Sequence, residues 1–139
     1  MNTLQLINFG SRELSRKKID SCILDSELLL SKILNKKREE ILINLNQEVC
    51  QKHFANYKKL ILRRSQHEPI AYIMEEKEFW SKNFIVSPDT LIPRPETELM
   101  VEKLVEIFKE KKISILDMGT GSGCIIISLL SEIKNSTGV

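Results

Sequence analysis

Residues 117 to 123 read Asp-Met-Gly-Thr-Gly-Ser-Gly, and few folds can use such a turn where it stands. Ahead of it, Ile113, Ile115 and Leu116 form a short apolar strand. Behind it, Cys124 to Ile133 is an apolar run of helical length. Strand, glycine turn and helix, in that order, open the nucleotide-binding α/β folds. Glycine lets the backbone approach a ligand closely, and the start of the helix offers unpaired N–H groups. Two familiar versions do not fit. The dinucleotide pattern G-x-G-x-x-G would place its third glycine at Cys124. A P-loop would need Lys and then Ser or Thr after its last glycine, where Cys124 and Ile125 stand.

Three glycines at a spacing of two, after an acidic strand end, fit instead a loop that wraps S-adenosylmethionine. That sulfonium cofactor has no phosphate. Its ammonium and carboxylate need short-range polar partners, which backbone groups and an acidic side chain can supply. A glycine turn used only for tight packing is the other reading of these residues.

The rest of the chain divides by period. Leu4, Ile7 and Leu14 lie among polar residues from Thr3 to a basic end at Lys18, which suits a helix C-terminus. Gly10 interrupts this helix at a cost of about 1 kcal/mol relative to alanine. Asp20 and Ser21 are candidates to cap a second helix, which carries Ile23, Leu30 and Leu34 with Leu24 and Leu28 beside them, and which Asn35 stops. A short charged helix follows. A fourth, from about Gln47 to Ser65, sets Cys50, Phe54, Tyr57 and Ile61 on one face. Such stripes hide against each other, so 1–67 reads as a helical bundle. Pro69 disfavours helix at Glu68, and Ile70, Tyr72 and Ile73 are β-formers. Phe79-Trp80 and Phe84–Val86, around Ser81-Lys82-Asn83, read as a hairpin, so 68–95 is an extended and hairpin linker. Pro95 then suits a helix start, with Glu96 and Glu98 as charges near its positive end.

Composition excludes several classes. The 139 residues are 42% hydrophobic and 29% charged, which argues against disorder as the main state. No apolar run approaches the roughly 20 residues of a membrane helix, and the N-terminus lacks a signal-peptide pattern, so a cytoplasmic location is expected. With 21 Lys+Arg against 19 Asp+Glu, the charge gives no argument for a membrane surface or direct nucleic-acid binding. Cys22, Cys50 and Cys124 show no C-x-x-C spacing and no His-rich neighbours, so they are expected as reduced thiols packed like small apolar groups, with no metal. His53 and His67 are isolated, and Lys36-Lys37-Arg38 reads as a solvated helix face.

Pro-Ile-Ala-Tyr-Ile at 69–73, Glu-Phe-Trp at 78–80, Leu-Ile-Pro-Arg-Pro-Glu-Thr-Glu at 91–98 and the glycine turn through Cys124 occur in that order. Together they closely resemble the protein N5-glutamine methyltransferases, which modify the Gly-Gly-Gln glutamine of bacterial class I peptide-chain release factors. The helix over 19–34 resembles the family's second helix. The resemblance covers the whole chain but about the first half of the family's length. It implies that Gly119, Thr120, Gly121, Ser122 and Gly123 lie against S-adenosyl-L-methionine, with Asp117 steering the loop. It implies that Leu91, Pro93 and Arg94 line the approach to cofactor and acceptor glutamine, although Arg94 also reads as a brace for its Pro-Arg-Pro turn. The bundle would help recognise the release factor, and 96–139 would be the truncated start of a Rossmann-like class I methyltransferase domain.

Two departures from the family stand out. Glu75 occupies a stretch where the family has glycine; at positive φ it would cost about 1 kcal/mol or more. The Asn-Pro-Pro-Tyr loop that orients the acceptor amide is not among these residues, and nor is a second acidic strand end for the cofactor ribose. Amide nitrogen is a poor nucleophile and depends on such positioning, so the 139 residues are expected to be catalytically inactive alone, with weak or no cofactor binding. Strand 113–117 is expected to lack a parallel neighbour and to leave an apolar patch. The alternatives to a truncated methyltransferase are a non-catalytic release-factor-binding module and a gene remnant.

Overall fold

Asn2 starts the first helix by a reciprocal cap: its side chain accepts from Gln5 N at 2.9 Å, and the Gln5 side chain accepts from Asn2 N at 3.0 Å. This is a computed structural model describing residues 1–139, and it divides into two units, Met1–Met74 and Glu75–Val139.

The first unit is all helix: α1 (Thr3–Arg16), α2 (Cys22–Leu34), α3 (Arg38–Ile43), α4 (Gln51–Ser65) and α5 (Ile70–Met74). Its core is Leu6, Leu14, Leu29, Leu30, Ile41, Tyr57 and Ile73, all essentially without solvent contact. Gly10, costly in an isolated helix, has its reason here. A Cβ at Gly10 would lie 2.1 Å from Tyr57 Oη and 2.6 Å from Ser26 Oγ, so α1 passes α2 and α4 at a distance only glycine allows. Ser26 Oγ donates to Ile7 O at 2.8 Å and lies 2.6 Å from Tyr57 Oη. Burial pushes the Tyr57 hydroxyl well above its ordinary pKa of 10.0, opposed in part by the Ser26 hydrogen bond.

The inward face of α2 differs from the one expected. Ile23 and Leu24 are exposed, whereas Asp25, Ser26, Glu27, Leu29 and Leu30 are buried. The buried charges are paired. Arg64 Nε donates to Asp25 Oδ2 at 2.7 Å, Ser21 Oγ to the same oxygen at 2.8 Å, and Arg38 Nε to Glu27 Oε2 at 2.6 Å. Ser21 therefore holds the expected N-cap position, its carbonyl accepting from Asp25 N at 2.8 Å, but its hydroxyl goes to the Asp25 carboxylate and caps no backbone N–H, and Arg38 is an ion-pair partner rather than part of a solvated face. Asn35 does stop α2, in the left-handed conformation at φ 50°. α4 begins at Gln51, with Cys50 exposed ahead of it, so this thiol is not packed as a small apolar group. Residues 70–74, expected as extended chain, form a helical turn instead. Tyr72 N and Ile73 N both bond to Pro69 O, and the turn buries Ala71 and Ile73.

The second unit begins with an antiparallel hairpin, β1 (Glu76–Phe79) and β2 (Lys82–Ile85), in the register Phe79↔Lys82. The turn is therefore Trp80-Ser81, one residue tighter than the expected Ser81-Lys82-Asn83. A 3₁₀ turn at Pro95–Thr97 leads into α6 (Glu98–Phe108). Then come β3 (Ser114–Ile115), α7 (Cys124–Glu132) and β4 (Thr137–Gly138). The expectation of a strand without a parallel neighbour is overturned: β3 pairs in parallel with β4, Ser114 opposite Thr137 and Ile115 opposite Gly138. Gly138 permits this, since a Cβ there would meet Ile126 Cδ1 at 2.7 Å. The pair still leaves Leu116, Met118 and Ile127 exposed. The local core is Phe79, Phe84, Val101, Cys124, Leu129 and Ile133.

Candidate functional site: the glycine turn between β3 and α7

β3 delivers the chain to Asp117, whose N–H bonds to Val139 O at 2.9 Å. All three glycines that follow are left-handed: Gly119 at φ 82°, Gly121 at φ 57° and Gly123 at φ 76°. A side chain at any of them would be strained by about 1 kcal/mol or more, so the backbone shape itself demands the glycine spacing. Gly123 N closes the turn onto Thr120 O at 2.9 Å and stands at the N-terminus of α7. At Gly119 a Cβ would meet nothing within 4 Å, which leaves the backbone open to an incoming group.

Two polar atoms in this turn lack partners. Asp117 Oδ2 and Ser122 Oγ are both shut off from solvent and bonded to nothing in the protein. Unpaired buried polar atoms are rare and costly, so a ligand is a natural source of the missing partners. A carboxylate oxygen and a hydroxyl beside open backbone suit a small ligand bearing both an ammonium and a carboxylate. Such donors and acceptors fit S-adenosyl-L-methionine. No three His, Cys, Asp or Glu side chains gather into a group that could hold a metal ion.

The structure thus brings Asp117, Gly119, Thr120, Gly121, Ser122 and Gly123 together in one turn. The other expected site residues lie in the segment between β2 and the 3₁₀ turn. Leu91 is largely exposed, Arg94 is exposed and Pro93 is buried. No hydrogen bond ties any of them to the glycine turn. Glu98, read as a helix-start charge, instead accepts from Trp80 N at 2.9 Å, and Glu132 accepts from Trp80 Nε1 at 3.0 Å. Neither contact has a signal in spacing. The bundle also carries a surface groove of about 470 Å³ along α1, lined by Gln5, Asn8, Phe9, Arg12, Glu13 and Arg16 among others, which the periodicity of α1 does not announce. Glu75 lies at φ 66°, the left-handed conformation in which a non-glycine residue carries that cost.

A helical bundle followed in sequence by a hairpin and a strand–glycine turn–helix unit defines the class of protein: a helical domain followed by a short α/β unit. Residues 5–74 match the PrmC N-terminal domain, and the chain belongs to that family. The chain is 43% identical over 135 residues to the release factor glutamine methyltransferase of Buchnera aphidicola subsp. Acyrthosiphon pisum, covering 97% of this chain and 48% of that protein. It is 36% identical over 138 residues to the release factor glutamine methyltransferase of Nitratidesulfovibrio vulgaris, covering 99% and 47%. It is also 38% identical over 152 residues to the bifunctional methyltransferase of Rickettsia typhi, covering 96% and 29%. The chain spans about half the length of the first two relatives and under a third of the last. No helix is long and apolar enough to cross a membrane.

Proposed function

We propose that this chain is the amino-terminal part of a cytoplasmic methyltransferase that transfers a methyl group from S-adenosyl-L-methionine to the side-chain amide nitrogen of the Gly-Gly-Gln glutamine in class I peptide-chain release factors. The observation that carries this reading is the turn itself: three left-handed glycines beside the unpaired Asp117 Oδ2 and Ser122 Oγ. The names of the relatives support the substrate. The cofactor, when bound, supplies an electrophilic methyl group on a sulfonium sulfur. In the overall reaction the N–C bond forms, the S–C bond breaks, and the amide nitrogen gives up one proton.

The residues present here bind and orient. Asp117 offers a carboxylate to the ammonium of the ligand, and Ser122 a hydroxyl to its carboxylate. The Gly119–Gly123 backbone gives the close approach that a Cβ would block. Leu91, Pro93 and Arg94 shape the acceptor side, and the bundle contacts the release factor. Residues 96–139 are the first part of a Rossmann-like domain. The 139 residues contain no Asn-Pro-Pro-Tyr sequence to orient the acceptor amide, so on this reading no turnover is expected from them alone.

The test is to add purified class I release factor and radiolabelled cofactor to the 139-residue chain and, in parallel, to a full-length relative. Release-factor binding without methylation by the short chain, and methylation by the long one, is the expected result. Absence of binding by the short chain would remove the role of the bundle. Methylation by the short chain would overturn the claim that positioning of the amide lies elsewhere.

A further inference from the structure

The hairpin turn carries an unlikely pair of residues. Trp80 and Ser81 both have positive φ, 50° and 54°, which makes a two-residue turn of the type that favours Asn-Gly. A bulky tryptophan is disfavoured there. Yet both of its N–H groups are used. The backbone N–H donates to Glu98 Oε1 at the start of α6, and the indole N–H donates to Glu132 Oε1 at the end of α7.

These contacts change the status of the segment between β2 and α6. The chain leaves the hairpin at the end opposite the turn, where Val86 N bonds to Glu75 O at 3.2 Å. It must then travel back along the hairpin, about 13 Å for four residues of strand, to reach Glu98 beside the turn. Residues 86–97 therefore form a strap whose two ends are both fixed to the hairpin. Pro88, Pro93 and Pro95 restrict φ along it, Pro93 is buried, and Thr90 N–Ser87 O and Thr97 N–Arg94 O bond within it.

We propose that Glu98 and Glu132 are positioning residues: through Trp80 they close the strap into a ring and fasten that ring to α7, the helix that begins at the glycine turn. Hairpin, strap and α7 are then held as one frame. The presentation of Leu91 and Arg94 to an acceptor from this frame rests on the function proposed above; the ring itself does not.

Residue-resolved amide exchange on the 139-residue chain tests it. In Glu98→Ala the amides of Trp80, Thr90 and Thr97 are expected to exchange about tenfold faster, with α4 unchanged. Glu98→Gln keeps an acceptor oxygen and is expected to return all three to within about threefold of the parent. The chain has one tryptophan, so its single indole N–H resonance reads the second contact: it moves upfield in Glu132→Ala and stays in place in Glu132→Gln. Unchanged exchange at Thr90 and Thr97 in Glu98→Ala, or equal damage from Gln and Ala, overturns the proposal. Should Glu98→Ala unfold the second unit, Glu98→Asp decides, since it keeps the charge but withdraws the carboxylate. Faster strap amides with Val105–Phe108 intact support the ring, and equal acceleration of both sinks it. Failure of the methyl-transfer reading looks different: no binding of release factor, with this exchange pattern intact.

Discussion

In the bundle, eleven apolar side chains form one buried cluster, from Leu6 to Ile73. In the second unit six do so, while Leu99, Ile107, Leu116, Met118 and Ile127 lie in water. The two regions are thus held by different means. The bundle is held by a closed apolar interior, with its buried polar groups paired: Asp25 to Arg64, Glu27 to Arg38, Ser26 to Tyr57. The second unit relies more on backbone geometry, in its left-handed glycines, its Trp80-Ser81 turn and a parallel pair of two-residue strands. Truncating a side chain should therefore hurt the first region more than the second.

The sharpest test makes the same change in both. Leu29→Ala is expected to destabilise the chain by about 3–4 kcal/mol in urea titrations followed by helix circular dichroism, the range for a fully buried leucine. Leu129→Ala, the matching buried leucine in the smaller cluster of the second unit, should cost less, about 2 kcal/mol. Equal effects would break the contrast. Arg64→Ala should cost about 3 kcal/mol, because it strands Asp25 in the interior. Gly10→Ala should cost about 2 kcal/mol despite alanine's better helix propensity, because the new methyl collides with Tyr57 and Ser26.

Tyr57→Phe should cost about 1 kcal/mol for the lost hydrogen bond. It also tests a pH effect. The folded-state pKa of Tyr57 is raised, so its contribution is fully present below the unfolded value of 10.0 and fades as pH climbs above it. The phenylalanine variant should lose that alkaline decline in a pH series of urea midpoints. The smallest effect is expected at Glu68, whose carboxyl is held below its usual range chiefly by a hydrogen bond from Arg63. A depressed carboxyl contributes above its unfolded pKa and loses that contribution as pH falls through the folded one. The pair is partly exposed, so Glu68→Gln should remove about 0.5 kcal/mol near neutrality and nothing in strong acid.

The sequence and the structure agree best where chemistry is local. The glycine turn was legible because spacing and residue type carry the backbone requirement, and all three glycines take positive φ. Asn35 was legible as a helix stop for the same reason. The inward face of α2 was not. Its interior positions include Asp25 and Glu27, which read as surface until their partners Arg64 and Arg38 arrive from elsewhere in the chain. Ile70, Tyr72 and Ile73 point to extended chain in the sequence, but β-forming residues also suit a short buried helical turn once Pro69 supplies its first acceptor. β4 has two residues, one of them glycine, and gives no alternation to detect. The left-handed backbone at Gly119, Gly121 and Gly123 could be read from their spacing, whereas the two carboxylates on Trp80 lie 18 and 52 residues away from it.

The three thiols grade from outside to inside: Cys50 exposed, Cys22 half-buried, Cys124 buried at the head of α7. A maleimide label would therefore mark Cys50 in the intact chain and reach Cys124 only when the second unit opens. The natural sequence carries its own built-in reporter for the opening of the glycine-turn region, and counting labels against time would clock that event without any engineered probe.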